Sequence, residues 1–257
     1  MITFIEKCMR LVPTRVAPKS FLVAFAVILS LVSSQAKAQV SVYSFNESLT
    51  GYTPLGGTPR VAFPAPWDNQ ATVVAPIPFN FNYNGVVYNS LRINCNGFIT
   101  FGTTATAGNI TNPLSNAAAY TGAISPFGTN LVSNGQPIVY GTEGVSPNQT
   151  FVIQWTDAVR GTEVGNYNFQ IRLHETTNII DFSYGPCSTT STFPISPQVG
   201  LRGYSNNFAV GNINNRQMAA DMVWFGNTTA GTLNNSFVRT VNLAYPDLGL
   251  RYRWTPA

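Results

Sequence analysis

The sequence predicts an all-β protein, a single antiparallel β-sandwich of jelly-roll-like character behind a cleaved leader. Three observations predict it. Apolar residues recur at every second position in several stretches, as Phe169, Ile171 and Leu173 do against Gln170, Arg172 and His174, the pattern of a strand with one face on a core. Those stretches are bounded by Asn-Gly, Gly and Pro, the residues that make turns. Beyond residue 38 no stretch carries a helical period long enough to stand alone.

Residues 1–38 read as a secretory signal: Lys7, Arg10, Arg15 and Lys19, then an apolar run from Phe21 to Val32, then Ala36-Lys37-Ala38 before Gln39. Met9 is an alternative start, which would remove Cys8. The competing reading, a membrane anchor, needs about 20 apolar residues, and this run has 12. The leader holds five of the 14 basic residues and one of the 10 acidic ones, so nine arginines face nine carboxylates after cleavage and all three lysines are gone. A nucleic-acid partner requires a basic footprint, and none remains; no membrane partner is expected after cleavage either. Removing 38 of 257 residues leaves 219, enough for one domain with its own core.

Taken in order, Val40 to Phe63 holds a first strand in VSVYSF and a Gly/Pro-rich turn region from Thr50 to Pro59. Phe63 to Gln70 contains two prolines and reads as an extended loop ending near Trp67. From Phe79 to Tyr83 a strand meets Asn84-Gly85, a two-residue hairpin turn that pairs Tyr83 with Val86 and Phe81 with Tyr88. Parity then slips between Tyr88 and Leu91, which predicts a bulge near Asn89-Ser90. At Asn96-Gly97 a three-residue loop would set Cys95 opposite Ile99 and Ile93 opposite Phe101. Thr103 to Thr121 is a long polar loop, Ile124 to Val132 a strand interrupted by Pro126, and Ile138 to Tyr140 a short strand. Phe151, Ile153 and Trp155 start the clearest register. Beyond it, a loop over Glu175 to Asn178 places Leu173 opposite Ile180, Ile171 opposite Phe182 and Phe169 opposite Tyr184, with Arg172 and Asp181 forming a cross-strand ion pair on a wet outer face. Gln198 to Gly203 is a strand, Ser205 to Arg216 a surface loop, Met218 to Phe225 a strand, and Leu248 to Trp254 the closing strand.

The blocks FNFNYNGVVYNSLRINCNGFITFG, ISPFGTNL, TFVIQWTDAVRG, NYNFQIRLHETTNIIDFSYG and VGLRG resemble the nidogen-like extracellular domain. They are closest to the module near the N-terminus of large secreted proteins of Bacteroidota. The resemblance covers Val42 to Tyr204 and, more loosely, reaches Trp254. It implies an exported all-β module of a multidomain surface or secreted protein, structural, adhesive or ligand-binding, and it implies no reaction. The terminal Thr-Pro-Ala would in such a protein lead into a further module.

Catalytic constellations are sparse. With a single histidine, His174, sites needing two imidazoles and the HExxH helix are excluded, and no G-x-S-x-G elbow, CxxC or phosphate-binding loop occurs. His174 is expected as an ordinary exposed residue. Two carboxylates could hydrolyse a glycoside, but Asp157, Glu163, Glu175 and Asp181 show no common inner face, and no D-x-D-x-D spacing suggests calcium. Neither a metal nor a cofactor is therefore expected. The second functional class is a carbohydrate-active protein, a glycan-binding module or weak hydrolase, using Trp67, Asp68 and Tyr120 at a loop edge; against it stands a Trp that merely caps the sandwich. Glycans or other extracellular proteins are the expected partners. Export permits a Cys95–Cys187 disulfide, while the inward parity of Cys95 equally suits a buried thiol.

Overall fold

A computed structural model describes residues 39–161 and 163–257; the expected leader lies outside the described residues. After a single 3-10 turn at Val40–Val42, the strands run β1 (Ser44–Leu49), β2 (Arg60–Phe63), β3 (Val73–Tyr83), β4 (Val86–Asn94), β5 (Phe98–Phe101), β6 (Gly122–Gly128), β7 (Ile138–Glu143), β8 (Thr150–Ala158), β9 (Gly165–His174), β10 (Ile180–Tyr184), β11 (Ser188–Thr189), β12 (Gln198–Arg202), β13 (Ile213–Gln217), β14 (Thr229–Ala230) and β15 (Leu250–Thr255). Two antiparallel sheets form the sandwich. One has the order β1-β15-β10-β9-β8-β7-β2, with β11 attached to β9, and the other β14-β13-β12-β6-β5-β4-β3.

Inward positions of both sheets merge into one core. Phe151, Ile153 and Trp155 face it from β8, Phe169, Ile171 and Leu173 from β9, and Phe81, Ile93, Phe101 and Leu201 from the second sheet, all buried. The polar tips of two of the largest buried side chains end on backbone across the gap: Tyr184 Oη donates to Pro126 O at 2.8 Å and Trp155 Nε1 to Cys95 O at 3.2 Å. Satisfied tips let these two rings fill the core at no cost in lost hydrogen bonds, whereas the buried Trp224 leaves its Nε1 without a partner among the described residues.

Most registers follow the sequence reading. Asn84 and Gly85 both take positive φ, 54° and 75°, and Tyr83 pairs with Val86 and Phe81 with Tyr88. The irregularity falls opposite Asn89, but its surplus lies on the other strand: Pro76 pairs with Ser90 and Phe81 with Tyr88, so Ile77 to Asn80 stand across from Asn89 alone. At the next turn Ile93 pairs with Ile99 and Asn94 with Phe98, so Cys95 lies in the loop instead of opposite Ile99. Asn96 fixes that loop by accepting from Leu131 N at 2.9 Å and donating to Gly108 O at 2.8 Å. Gly97 follows at φ 80°, where a Cβ would come within 2.2 Å of Phe127 O.

Three expectations are corrected. Pro126 does not interrupt its strand, because it sits where the β6–β12 register shifts, between the pairs Gln198–Gly128 and Gly200–Ser125, and a missing N–H costs no ladder bond at such a point. The segment Ser205 to Arg216 is not all loop, since β13 begins at Ile213 and pairs with β12. Met218 to Phe225 is not a strand: Met218 bridges to Val238, Trp224 is buried, and Met222, Val223 and Phe225 are exposed.

Candidate functional site

Alternation puts a second set of side chains on the outer face of the first sheet. Its registers align Arg172, Asp181 and Arg253 in one row across β9, β10 and β15, and Gln170, Ser183 and Arg251 in the next. The face is not wet throughout. Residues 50–59 cross it, with Leu55 packed on Val139 and Val152, Leu55 N donating to Gln154 Oε1 at 2.7 Å and Gln170 Nε2 donating to Thr53 O at 3.0 Å. The remainder is a cleft of about 520 Å³ between that strap and Glu143.

Within the cleft Asp181 is buried, its side chain 4 % exposed. The Arg253 guanidinium grips it with two bonds, Nε to Oδ1 at 2.7 Å and Nη2 to Oδ2 at 2.6 Å, and His174 Nε2 lies 2.9 Å from Oδ2. An ionised carboxylate only accepts, so His174 Nε2 carries a proton. These contacts correct two expectations. The Arg172–Asp181 pair does not form, because the Asp181 oxygens are already occupied and Arg172 instead reaches Glu143 and Gln170 Oε1. His174 is not an ordinary exposed residue, since it is half-buried between Asp181 and Thr150 Oγ1.

Burial alone would raise the Asp181 pKa, but the hydrogen bonds from Arg253 and His174 outweigh it and hold the carboxyl below its ordinary value. The unfolded chain titrates higher, at about 3.9. The ionised network therefore contributes fully above that pH, and its stability is lost as pH falls through the lower folded value. Thermal melts of wild type and Asp181→Asn between neutral and acidic pH should show a gap that narrows below about pH 4. A gap independent of pH would contradict this reading.

The residues singled out as a sugar-stacking edge are placed otherwise. Trp67 is 1 % exposed and donates from Nε1 to Gln136 O at 2.8 Å, while its neighbour Asp68 is exposed. Tyr120 is also 1 % exposed, with the Arg202 guanidinium 4.0 Å from its ring centroid and its hydroxyl bonded to Pro113 O. Burial pushes the Tyr120 hydroxyl up to about 12. Neither ring offers a face to a ligand. Cys95 and Cys187 are both free thiols, not a disulfide; Cys95 is wholly buried in the β4–β5 loop, and burial pushes Cys187 up to about 12. Sequence reasoning passed over Arg251 and Arg253. Their outward parity was visible, but the pairing of β15 with β10, which brings them to Asp181, was not. A larger depression of about 680 Å³ among loops 217–237 has no charged side chain in its lining.

The model of the family described as NIDO related matches residues 42–256. The chain belongs to the NIDO-related family. The match ends beyond β15, so the whole sandwich and its outer cleft, Arg251 and Arg253 included, form the nidogen-related unit. No curated protein and no solved structure matches the chain. Among the described residues no helix is long and apolar enough to cross a membrane, and no cluster of His, Cys, Asp and Glu could hold a metal ion.

Proposed function

We propose that this NIDO-related chain is a non-catalytic module of a secreted or cell-surface protein, of the kind found in large secreted proteins of Bacteroidota, with a structural, adhesive or ligand-binding role. The observation that carries the reading is the family match across the entire sandwich. Two features of the sequence support it: the basic, apolar and Ala-x-Ala segments of residues 1–38 suit export, and the neutral, lysine-free remainder suits an extracellular protein.

The outer-face chemistry agrees. Glu143, Asp181 and His174 are each held by an arginine, a carboxylate or a hydroxyl, an arrangement that organises a surface more readily than it moves protons. The carbohydrate-active alternative built on Trp67, Asp68 and Tyr120 loses its stacking surfaces to burial. Fractionation of the producing cells followed by N-terminal sequencing tests the main reading: exported protein beginning at Gln39 is the expected result. Full-length protein retaining Phe21 to Val32 inside the cell or in the membrane fraction would overturn it.

A further inference from the structure

Two of the three arginines that line the outer cleft are neutralised by contact: Arg253 by Asp181 and Arg172 by Glu143. Arg251 is different. Among the described residues its guanidinium has no ion-pair or hydrogen-bond partner, and its Nε is shielded from water and unsatisfied. Ser48, its partner across the β1–β15 register, has a hydroxyl that is shielded and unpartnered too. A guanidinium that lines a cleft and that no carboxylate among the described residues neutralises leaves its charge and its Nη donors available to an anionic acceptor.

The walls say which anion. They offer hydroxyl groups from Thr50, Thr53 and Ser183 and acceptor oxygen from Glu143, with the Asp181 carboxylate, already held by Arg253 and His174, close by. No aliphatic or aromatic residue lines the cleft, so an apolar peptide side chain would find nothing to pack on. Two fixed carboxylates nearby disfavour a multiply charged phosphate. A guanidinium binds a planar carboxylate through two parallel bonds, and the remaining groups match ring hydroxyls. A cleft of about 520 Å³ lies within the usual size of a small-ligand site, roughly 300 to 1,000 Å³.

From this geometry we infer that the cleft binds a sugar acid, its carboxylate seated on Arg251 and its hydroxyls on the surrounding polar groups. The inference rests on the ligand-binding side of the proposed function and names the ligand class. Calorimetric titration of the purified protein with glucuronate, glucose and a glutamate-rich peptide tests it. Glucuronate should bind and glucose should not. Arg251→Gln should weaken glucuronate binding by about tenfold or more, the loss expected for a charge-assisted bond pair. Should Arg251→Gln fail to fold, Thr53→Glu, on the exposed rim, places a repelling charge at the mouth and should abolish binding.

Equal responses to glucuronate and glucose, no response to glucuronate, a response to the peptide alone, or glucuronate binding that survives both substitutions would each overturn the inference. Because titration uses purified protein, a failure of export leaves this result readable. A failure to bind, in turn, leaves the extracellular reading standing.

Discussion

Replacing Phe182 by alanine is expected to cost about 3 to 5 kcal/mol, the range for deleting a buried aromatic ring. Phe182 is completely buried, pairs with Ile171 on one side and Tyr252 on the other, and its ring lies 4.6 Å from that of Trp254. Trp254 in turn packs against Phe45 of the edge strand β1, at 5.0 Å. The cavity would open between strands anchored on both sides by large rings, with little freedom to collapse, which places the expected cost toward the upper part of the range. For a domain of this size the change corresponds to a melting temperature lower by roughly 6 to 20 °C. The exposed Val87→Ala is the matched control and should stay within about 0.5 kcal/mol of wild type. A Phe182→Ala protein that melts with wild type would mean that the inner face of β10 is not core.

That face was readable because two independent signals coincided. The alternation of β9 and β10 and the length of the loop between them select the same register, and a slip by one residue would have turned Phe169, Ile171 and Phe182 outward. Asn84-Gly85 was readable for a similar reason, since both residues accept the left-handed backbone the turn requires. Where local rules misled, a distant partner decided. The sequence reading starts the strand at Phe79, yet β3 runs from Val73 through Pro76 and Pro78 as the edge of its sheet, where a proline faces no neighbour on one side.

The site was harder to read than the fold, for the same reason. Strand parity marked Gln154, Gln170 and Asp181 as outward and therefore wet. Gln154 and Gln170 are buried because residues 50–59, up to 117 positions away in sequence, bond across them, and Asp181 is buried because Arg253 and His174 close over its carboxylate. Parity alone says which way a side chain points, and it says nothing about what passes over it. Trp67 and Tyr120 illustrate the converse: aromatics in loops resembled a binding edge, but the loops fold inward and give their polar tips to backbone carbonyls.

Arg202→Met should be nearly as costly as the loss of Phe182, but through a different mechanism. The 20 residues from Gly102 to Thr121 connect β5 to β6 without a strand of their own, and a connection of that length keeps one conformation only if it is fastened. Arg202, at the end of β12 and 2 % exposed, is the fastener: Nη1 donates to Pro113 O at 3.1 Å and Asn116 O at 2.7 Å, and Nη2 to Ala118 O at 3.0 Å. Methionine keeps the stem and removes every donor. Bonds to a charged group contribute about 1.5 to 3 kcal/mol each. Asn116 and Ala118 are only half-buried, so water can reach their carbonyls in the variant, and the expected total falls to about 3 to 5 kcal/mol, short of the full sum. Arg202→Lys should lie between, because an ammonium retains the charge without the fork or the flat stacking on Tyr120. Hydrogen exchange separates this effect from a core defect: protection should fall first within Gly102 to Thr121 in Arg202→Met, while β9 and β10 keep theirs at temperatures below the melt. Unchanged exchange in that loop, together with a melting temperature within about 2 °C of wild type, would show that Asn96 and Gln198, which also bond the loop, hold it without Arg202.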